Sequence, residues 1–117
     1  MITPRLIYKI TPRADWQAAE AEGVFEGAPI DLADGYIHFS TAGQVAETAA
    51  KHFSGQDDLL LAAISVEALG KGLKWEESRG GALFPHLYAT LSMEAVAWTR
   101  PMPLGSDGVH SLPDLEI

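Results

Sequence analysis

Three short stretches of the chain alternate titratable or aromatic side chains with apolar ones. They are YIHFS at residues 36–40, LKWEES at 73–78 and PHLYATL at 85–91. In a β-strand, side chains two positions apart share a face, so each stretch predicts one polar and one apolar face. The predicted polar faces carry Tyr36, His38, Ser40, Lys74, Glu76, Ser78, His86, Tyr88 and Thr90.

Histidine indicates proton-transfer chemistry, because its ordinary pKa of about 6.5 lies near neutral pH. Solvated sheet faces more often hold lysine, glutamate and threonine than two histidines and two tyrosines. The enrichment therefore favours a polar cleft that binds a small ligand. The alternative is that these residues form the ordinary polar face of a one-sided antiparallel sheet, since histidine and tyrosine are intermediate in burial. The choice depends on whether the three strands are neighbours, which their spacing does not show.

Two segments are candidates for holding an anion on that ligand. Ser40 and Thr41 precede a predicted helix, whose first N–H groups attract phosphate or carboxylate. In EESRGG at 76–81, Arg79 offers a planar fork of donors and two glycines allow close backbone approach. The alternatives are that Thr41 only caps the helix, with Gln44 at capping-box spacing, and that EESRGG is a solvated turn.

Several other site classes lack their signatures. The chain has no cysteine and four histidines without recognised ligand spacing, so we expect no metal site. No G-x-S-x-G motif surrounds Ser40 to make it a nucleophile, and no glycine fingerprint predicts a Rossmann or P-loop site.

Composition limits the partners. The 117 residues fit one domain, and the formal charge of -8 comes with eight scattered basic residues. We expect no long nucleic acid as partner, because such binding depends on clustered lysine and arginine, and no anionic membrane. No apolar run approaches the roughly 20 residues of a membrane span, and no signal-peptide pattern is present, so we expect a cytoplasmic protein. The oligomeric state stays open.

The pattern of helices and strands that must position these residues indicates an α+β fold. We expect one domain over residues 1–117, with a core at about 6–104 and an irregular tail at 105–117. The periodicities and turn signals predict strands at 6–10, 36–40, 59–66, 73–78, 85–91 and 95–102. The apolar strand at 59–66 is expected to be central, and the last to be an edge because of Pro101. Two helices are predicted, one entered at Thr11-Pro12 and ended by Gly23, the other at 42–53, with a loop at 24–33 between them.

Read together, YKIT at 8–11, DGYIHFST at 34–41 and KWEESRGGALFPHLY at 74–88 resemble a bacterial domain-of-unknown-function family, DUF952, over residues 6–104. That family is similar in fold to the ADP-ribosyltransferases, including the RNA 2′-phosphotransferases. The resemblance implies a split, mostly antiparallel sheet that grips nicotinamide adenine dinucleotide (NAD) between its halves.

The resemblance also implies which residues of this chain stand where the ADP-ribosyltransferases have functional residues. IHFS at 37–40 resembles the V-H-L-S of RNA 2′-phosphotransferases and, more distantly, the I-Y-F-A of the poly(ADP-ribose) polymerase type. In the latter the tyrosine stacks on nicotinamide, so His38 would occupy that place. LIYKIT at 6–11 resembles L-Y-H-G-T, with Lys9 in place of the histidine that contacts the cofactor ribose. The catalytic glutamate has no matching position, and Glu76 or His86 would lie nearest.

Two hypotheses follow, a transferase that uses NAD and a module that binds a nucleotide or other phosphorylated metabolite without reaction. A protein-interaction domain with an acidic surface is the third. For the transferase, the expected catalytic residues are His38, Glu76 and His86. The expected ligand-binding residues are Lys9, Tyr36, Ser40, Thr41, Trp75, Ser78, Arg79 and Tyr88.

Overall fold

The computed structural model describes residues 4–78 and 80–115, and over that span it forms a single-domain α+β fold. The strands are β1 (Leu6–Pro12), β2 (Val24–Phe25), β3 (Ile37–His38), β4 (Leu59–Ser65), β5 (Leu73–Ser78), β6 (Ala82–Leu87), β7 (Leu91–Ser92) and β8 (Val96–Met102). The helices are α1 (Arg13–Glu22), α2 (Pro29–Asp34), α3 (Val45–His52) and α4 (Val66–Leu69). Two 3₁₀ turns cover Gly70–Gly72 and Met93–Ala95. Within this span, every helix is too short or too polar to cross a bilayer.

The apolar run at 59–65 forms the central strand of the first sheet, as predicted. Strand β4 pairs antiparallel with β1 on one side and with β8 on the other. Its side chains alternate between two separate clusters of buried residues, so both faces of this sheet are covered. Strand β8, which contains Pro101, lies at the edge as expected.

The first cluster, called here the Trp16 cluster, includes Trp16, Ala19, Phe25, Ile37, Leu60, Ala62, Ile64, Leu87 and Leu91. The second, called the Tyr8 cluster, includes Leu6, Tyr8, Ile10, Val45, Ala49, Leu59, Leu61, Ala63 and Met102. Helix α1 covers one face of the first sheet through its residues in the Trp16 cluster, and α3 covers the other. The tail folds back through Leu112 and Leu115, which pack on the Tyr8 cluster.

The segment at residues 37–40 joins the first sheet to a second one, ordered β3-β6-β5. The N–H of Phe39 donates to the carbonyl of Pro85 (3.0 Å) on β6. One residue later, Tyr8 and Ser40 exchange backbone hydrogen bonds of 2.8 and 2.9 Å, which tie the same segment to β1. The β-structure is therefore divided into antiparallel sheets that meet just after His38.

The structure corrects both predicted helix starts. Thr11 and Pro12 belong to β1, which pairs with β4 as far as Pro12, and α1 begins only at Arg13. Gly23 ends α1 with a positive φ of 82°, as predicted. Helix α3 begins at Val45 instead of residue 42. Ser40 is still paired with β1, and residues 42–44 form a turn in which the N–H of Gln44 donates to the carbonyl of Thr41 (3.0 Å).

The predicted loop at 24–33 is also wrong. It contains β2, which pairs with β7, and most of the short helix α2. Pro29 is tolerated in the first turn of α2 because its missing N–H has no helical partner there. The carboxylate of Asp31 accepts a hydrogen bond from the N–H of Ala28 (2.7 Å), and Gly35 ends the helix with φ 87°. The strand predicted at 85–91 is not continuous: β6 ends at Leu87 and β7 begins at Leu91.

Strand β6 offers a test of which part of the strand is buried. Leu87 is 1% exposed and lies in the Trp16 cluster, whereas Leu83 on the same strand is 45% exposed. We expect Leu87→Ala to lower the free energy of unfolding by about 2–5 kcal/mol, because it removes buried methyl groups and leaves a cavity. Leu83→Ala should cost less than about 1 kcal/mol. Equal losses in urea denaturation would show that the buried and exposed parts of β6 are assigned wrongly.

Candidate functional site

The three polar faces predicted from the sequence lie side by side. Strand β6 sits between β3 and β5, with His86 directly opposite His38 on one side and opposite Lys74 on the other. Ile37 and Leu87, on the opposite face of the same strands, belong to the Trp16 cluster. The polar groups therefore converge on one face of the second sheet.

Four rings pack together at this face. The ring centroid of Tyr36 lies 4.2 Å from that of His86, 4.6 Å from His38 and 5.1 Å from Tyr88. The two imidazoles are 5.3 Å apart in an edge-on arrangement. Such tilted and edge-on contacts are the geometries that aromatic rings prefer. Tyr36 thus occupies the space between the two histidines and Tyr88.

A buried carboxylate, Asp31, supports this cluster from α2. It accepts hydrogen bonds from the backbone N–H of His38 (3.1 Å) and from its Nδ1 (2.6 Å), and it forms an ion pair with Lys9 Nζ (2.9 Å). Burial raises the pKa of Asp31, but the hydrogen bond from His38 and the charge of Lys9 outweigh burial and lower its pKa to about 2. Because this carboxylate stays ionised, Nδ1 of His38 must be the donor.

Lys9 completes this buried network. Its side chain is 6% exposed, and Nζ donates to Asp31 (3.1 Å) and to the carbonyl of His38 (2.9 Å). Burial lowers the pKa of Lys9, and the carboxylate of Asp31 opposes that effect. Lys9, predicted to bind ligand, therefore has its ammonium group committed to holding α2 and β3 on β1.

The second nitrogen of His38 faces another carboxylate. Nε2 lies 2.9 Å from an oxygen of Asp34, whose side chain is 41% exposed. Asp31 and Asp34 therefore contact the two ring nitrogens of His38. A ligand can reach Nε2 if it displaces the exposed Asp34, whereas Nδ1 lies against buried Asp31.

A second carboxylate, Glu76, lies on the solvent side of the rings. It accepts hydrogen bonds from Tyr88 Oη (2.7 Å) and His86 Nδ1 (2.9 Å), and its side chain is 39% exposed. The hydrogen bond from His86, followed by that from Tyr88, lowers the pKa of Glu76. The hydrogen bond between Tyr88 and Glu76 raises the pKa of Tyr88 to about 12. The site thus presents an accessible, ionised carboxylate beside aromatic rings.

An exposed cation accompanies Glu76. Lys74 lies on the same face of β5, its Nζ is 5.9 Å from the ring centroid of Tyr88, and its charge also lowers the pKa of Glu76. Burial, together with the charges of Asp34 and Glu76, raises the pKa of Tyr36.

Two hollows lie near this face. One of about 300 Å³ is lined by Tyr36 and Tyr88 together with Leu32 of α2. The other, about 450 Å³, lies beside α1 and α2. Among the described residues, His38, Glu76 and His86 line neither of these two. Nor do residues 4–78 and 80–115 hold three or more His, Asp or Glu side chains arranged for a metal ion.

The family model described as a protein of unknown function, DUF952, matches residues 10–99 of the chain. The chain belongs to the DUF952 family. The crystal structure of CC0527 from Caulobacter crescentus is similar to it, with a TM-score of 0.87 and 55% identity over 91% of this chain and 93% of that one. The solution NMR structure of CC0527 gives a TM-score of 0.81 at 55% identity, with 90% of each chain covered. No curated protein matches the chain.

Of the residues predicted to form the site, the DUF952 fold brings six together: Lys9, Tyr36, His38, Glu76, His86 and Tyr88. Trp75 is not among them, since it packs against the Trp16 cluster on the opposite face of β5. Ser78 ends β5 opposite Ala82. Arg79 lies outside the described residues.

The predicted anion site before α3 is occupied by internal contacts. Ser40 is 3% exposed, and its hydroxyl lies 2.9 Å from that of Thr48. The N–H of Thr41 donates to the side-chain oxygen of Gln44 (3.0 Å), so the amide half of the predicted capping box is present.

The sequence patterns did not mark Asp31 or Asp34 as site residues: Asp31 fell in the loop predicted at 24–33 and Asp34 directly after it. Lys74 was not assigned to the ligand either. A signal for α2 was nevertheless present. Pro29 and Gly35 have the spacing of a short helix, with proline in the first turn and glycine just after the end. That interpretation would have put the two aspartates three residues apart on one helix, directly before His38.

The Asp31 network leads to a stability prediction. We expect Asp31→Asn to lower the free energy of unfolding by about 3–5 kcal/mol, because it leaves buried Lys9 without its counter-charge. The matched control is Asp34→Asn, which removes a half-exposed carboxylate from the same helix and should cost less than about 1 kcal/mol.

Urea denaturation at pH 7 measures both variants. If Asp31→Asn does not fold, the double variant Lys9→Met with Asp31→Asn should restore a cooperative transition, since it removes the orphaned charge. Losses of similar size in the two single variants, or no recovery in the double variant, would contradict the network.

Proposed function

We propose that this DUF952 domain binds NAD, ADP-ribose or a related phosphorylated nucleotide at the face formed by Tyr36, His38, Glu76, His86 and Tyr88. The observation that carries the proposal is Glu76, a partly exposed carboxylate kept ionised beside aromatic rings and beside Lys74. The resemblance of IHFS to the corresponding motif of RNA 2′-phosphotransferases supports the same ligand class.

Two features of the face suit the parts of such a ligand. Tyr88 is 43% exposed and offers a ring on which a base can stack. Lys74 supplies an exposed ammonium group for the phosphates. Lys74 takes over the role predicted for Lys9, whose ammonium group is buried against Asp31. The role predicted for Arg79 stays a prediction.

The proposed reaction is transfer of ADP-ribose from NAD. The bond between the ribose carbon C1′ and nicotinamide breaks, and nicotinamide leaves with the bonding electrons. An acceptor oxygen or nitrogen then forms a bond to C1′ and gives its proton to a base. Glu76 stabilises the positive charge that develops on the sugar. His38 accepts the proton at Nε2 after Asp34 has taken the hydrogen that Nε2 carries and has moved away.

Binding without turnover is the second candidate function. It is favoured by the contacts of His38, whose two nitrogens both lie against carboxylates, so that the ring has no nitrogen free to act as a base. In this case the same residues bind the nucleotide and no bond is broken. The acidic charge of the chain disfavours a long RNA as acceptor or ligand in either case.

ADP-ribose titration followed by amide and aromatic NMR tests the binding proposal. Shifts are expected at Tyr36, His38 and Tyr88. Lys74→Gln should weaken binding about fivefold, because it removes one charge-assisted phosphate contact. The control Lys51→Gln, which changes an exposed lysine paired with Glu47 on α3, should change binding less than about twofold. Shifts confined to other parts of the chain would contradict the proposed site.

Nicotinamide release from NAD then separates the two candidate functions. Transfer predicts release that Glu76→Gln abolishes while ADP-ribose still binds. Binding alone predicts the same NMR shifts with no release above the rate without protein.

A further inference from the structure

The two hollows beside α2 adjoin each other. Glu26 and Leu32 line both the hollow of about 450 Å³ and the hollow of about 300 Å³. Together they form a groove that begins between α1 and α2 and reaches Tyr36 and Tyr88, and it is called here the α1–α2 groove. Two adjoining hollows suit an extended segment of polypeptide better than one compact metabolite.

The charged groups that line this groove all have one sign. Asp15, Glu22 and Glu26 are exposed there. Within the described part of the chain, none of the three forms an ion pair, and no lysine, arginine or histidine lines either hollow. Asp31 also lines the groove, but its charge is balanced by Lys9. The groove therefore lacks cations of its own opposite three free carboxylates.

Apolar side chains lie between and beside these acids. Leu32 is 64% exposed and separates the two hollows, while Tyr88 is 43% exposed at one end. Ala18, Val24 and Pro29 line the larger hollow. Large apolar side chains grouped at a concave surface mark an interaction site more often than isolated ones do.

We propose that the α1–α2 groove docks a basic, amphipathic segment of a partner protein. Apolar side chains of the segment would pack around Leu32, and its lysines or arginines would pair with Asp15, Glu22 and Glu26. Charge complementarity selects this occupant. A second copy of this chain would bring a formal charge of -8 toward the same carboxylates, and a nucleic acid would be repelled as well.

A short fluorescent peptide in which lysine and leucine alternate is the probe, measured by anisotropy at an ionic strength of about 0.15 M. The triple variant Asp15→Asn, Glu22→Gln, Glu26→Gln should bind it about tenfold more weakly, as expected from the loss of three exposed ion pairs.

The matched control is the triple variant Asp57→Asn, Glu67→Gln, Asp114→Asn. It removes the same number of exposed carboxylates from positions outside the groove, and its binding should change less than about twofold. Equal weakening in both triple variants would show attraction by net charge alone and would overturn the proposal, as would no weakening in either.

The apolar part of the proposal has its own pair of variants. Leu32 and Val109 are both 64% exposed, and only Leu32 lines the groove. Leu32→Ser should weaken binding of the peptide several-fold, and Val109→Ser should leave it unchanged. A peptide with serine in place of leucine that binds equally well would also overturn the proposal. Lys74→Gln should leave peptide binding unchanged, which separates this test from that of the nucleotide site.

Discussion

The carboxylate of Asp31 is the contact on which the rest of the site depends. It receives the side chain of Lys9 from β1, two donors from His38 on β3, and the N–H of Ala28 at the start of its own helix. A buried charge without partners would cost several kcal/mol. The network therefore fixes α2, β1 and β3 relative to one another, at the point where the two larger sheets meet.

This arrangement gives two carboxylates different roles in one small face. Asp31 is 1% exposed and saturated with donors, so it orients His38 and is not available to a ligand. Glu76 also accepts two hydrogen bonds that keep it ionised, but it stands at the surface. Environment rather than residue type decides that one acid is structural and the other is free to meet a positive group. The rings of Tyr36 and His86 lie between them.

Sequence patterns predicted the parts of the fold that local periodicity determines. The apolar run of β4, the alternation in β5 and the proline of β8 each led to the observed position of the strand. Alternation also predicted that Tyr36, His38, Glu76, His86 and Tyr88 lie on polar faces, which β6 then brings together. The family resemblance is confirmed by the match to DUF952.

The errors arose where contacts distant in sequence decide the structure. Lys9 was predicted to bind ligand because its partner Asp31 is 22 positions away, where no local pattern could indicate it. Helix α2 is only six residues long, which is too short for a hydrophobic period to show. Ser40 pairs with Tyr8 of β1, a contact that no local pattern near Thr41 could reveal, and α3 begins only at Val45.

The most direct test of this account is the pKa of Asp31, measured from the carboxyl ¹³C chemical shift as pH is lowered. The ion pair with Lys9 and the hydrogen bonds from His38 predict a midpoint at about 2, well below the ordinary value of 3.8. A midpoint at or above that ordinary value would mean that the carboxylate is not held by these donors, and it would contradict the network that positions His38.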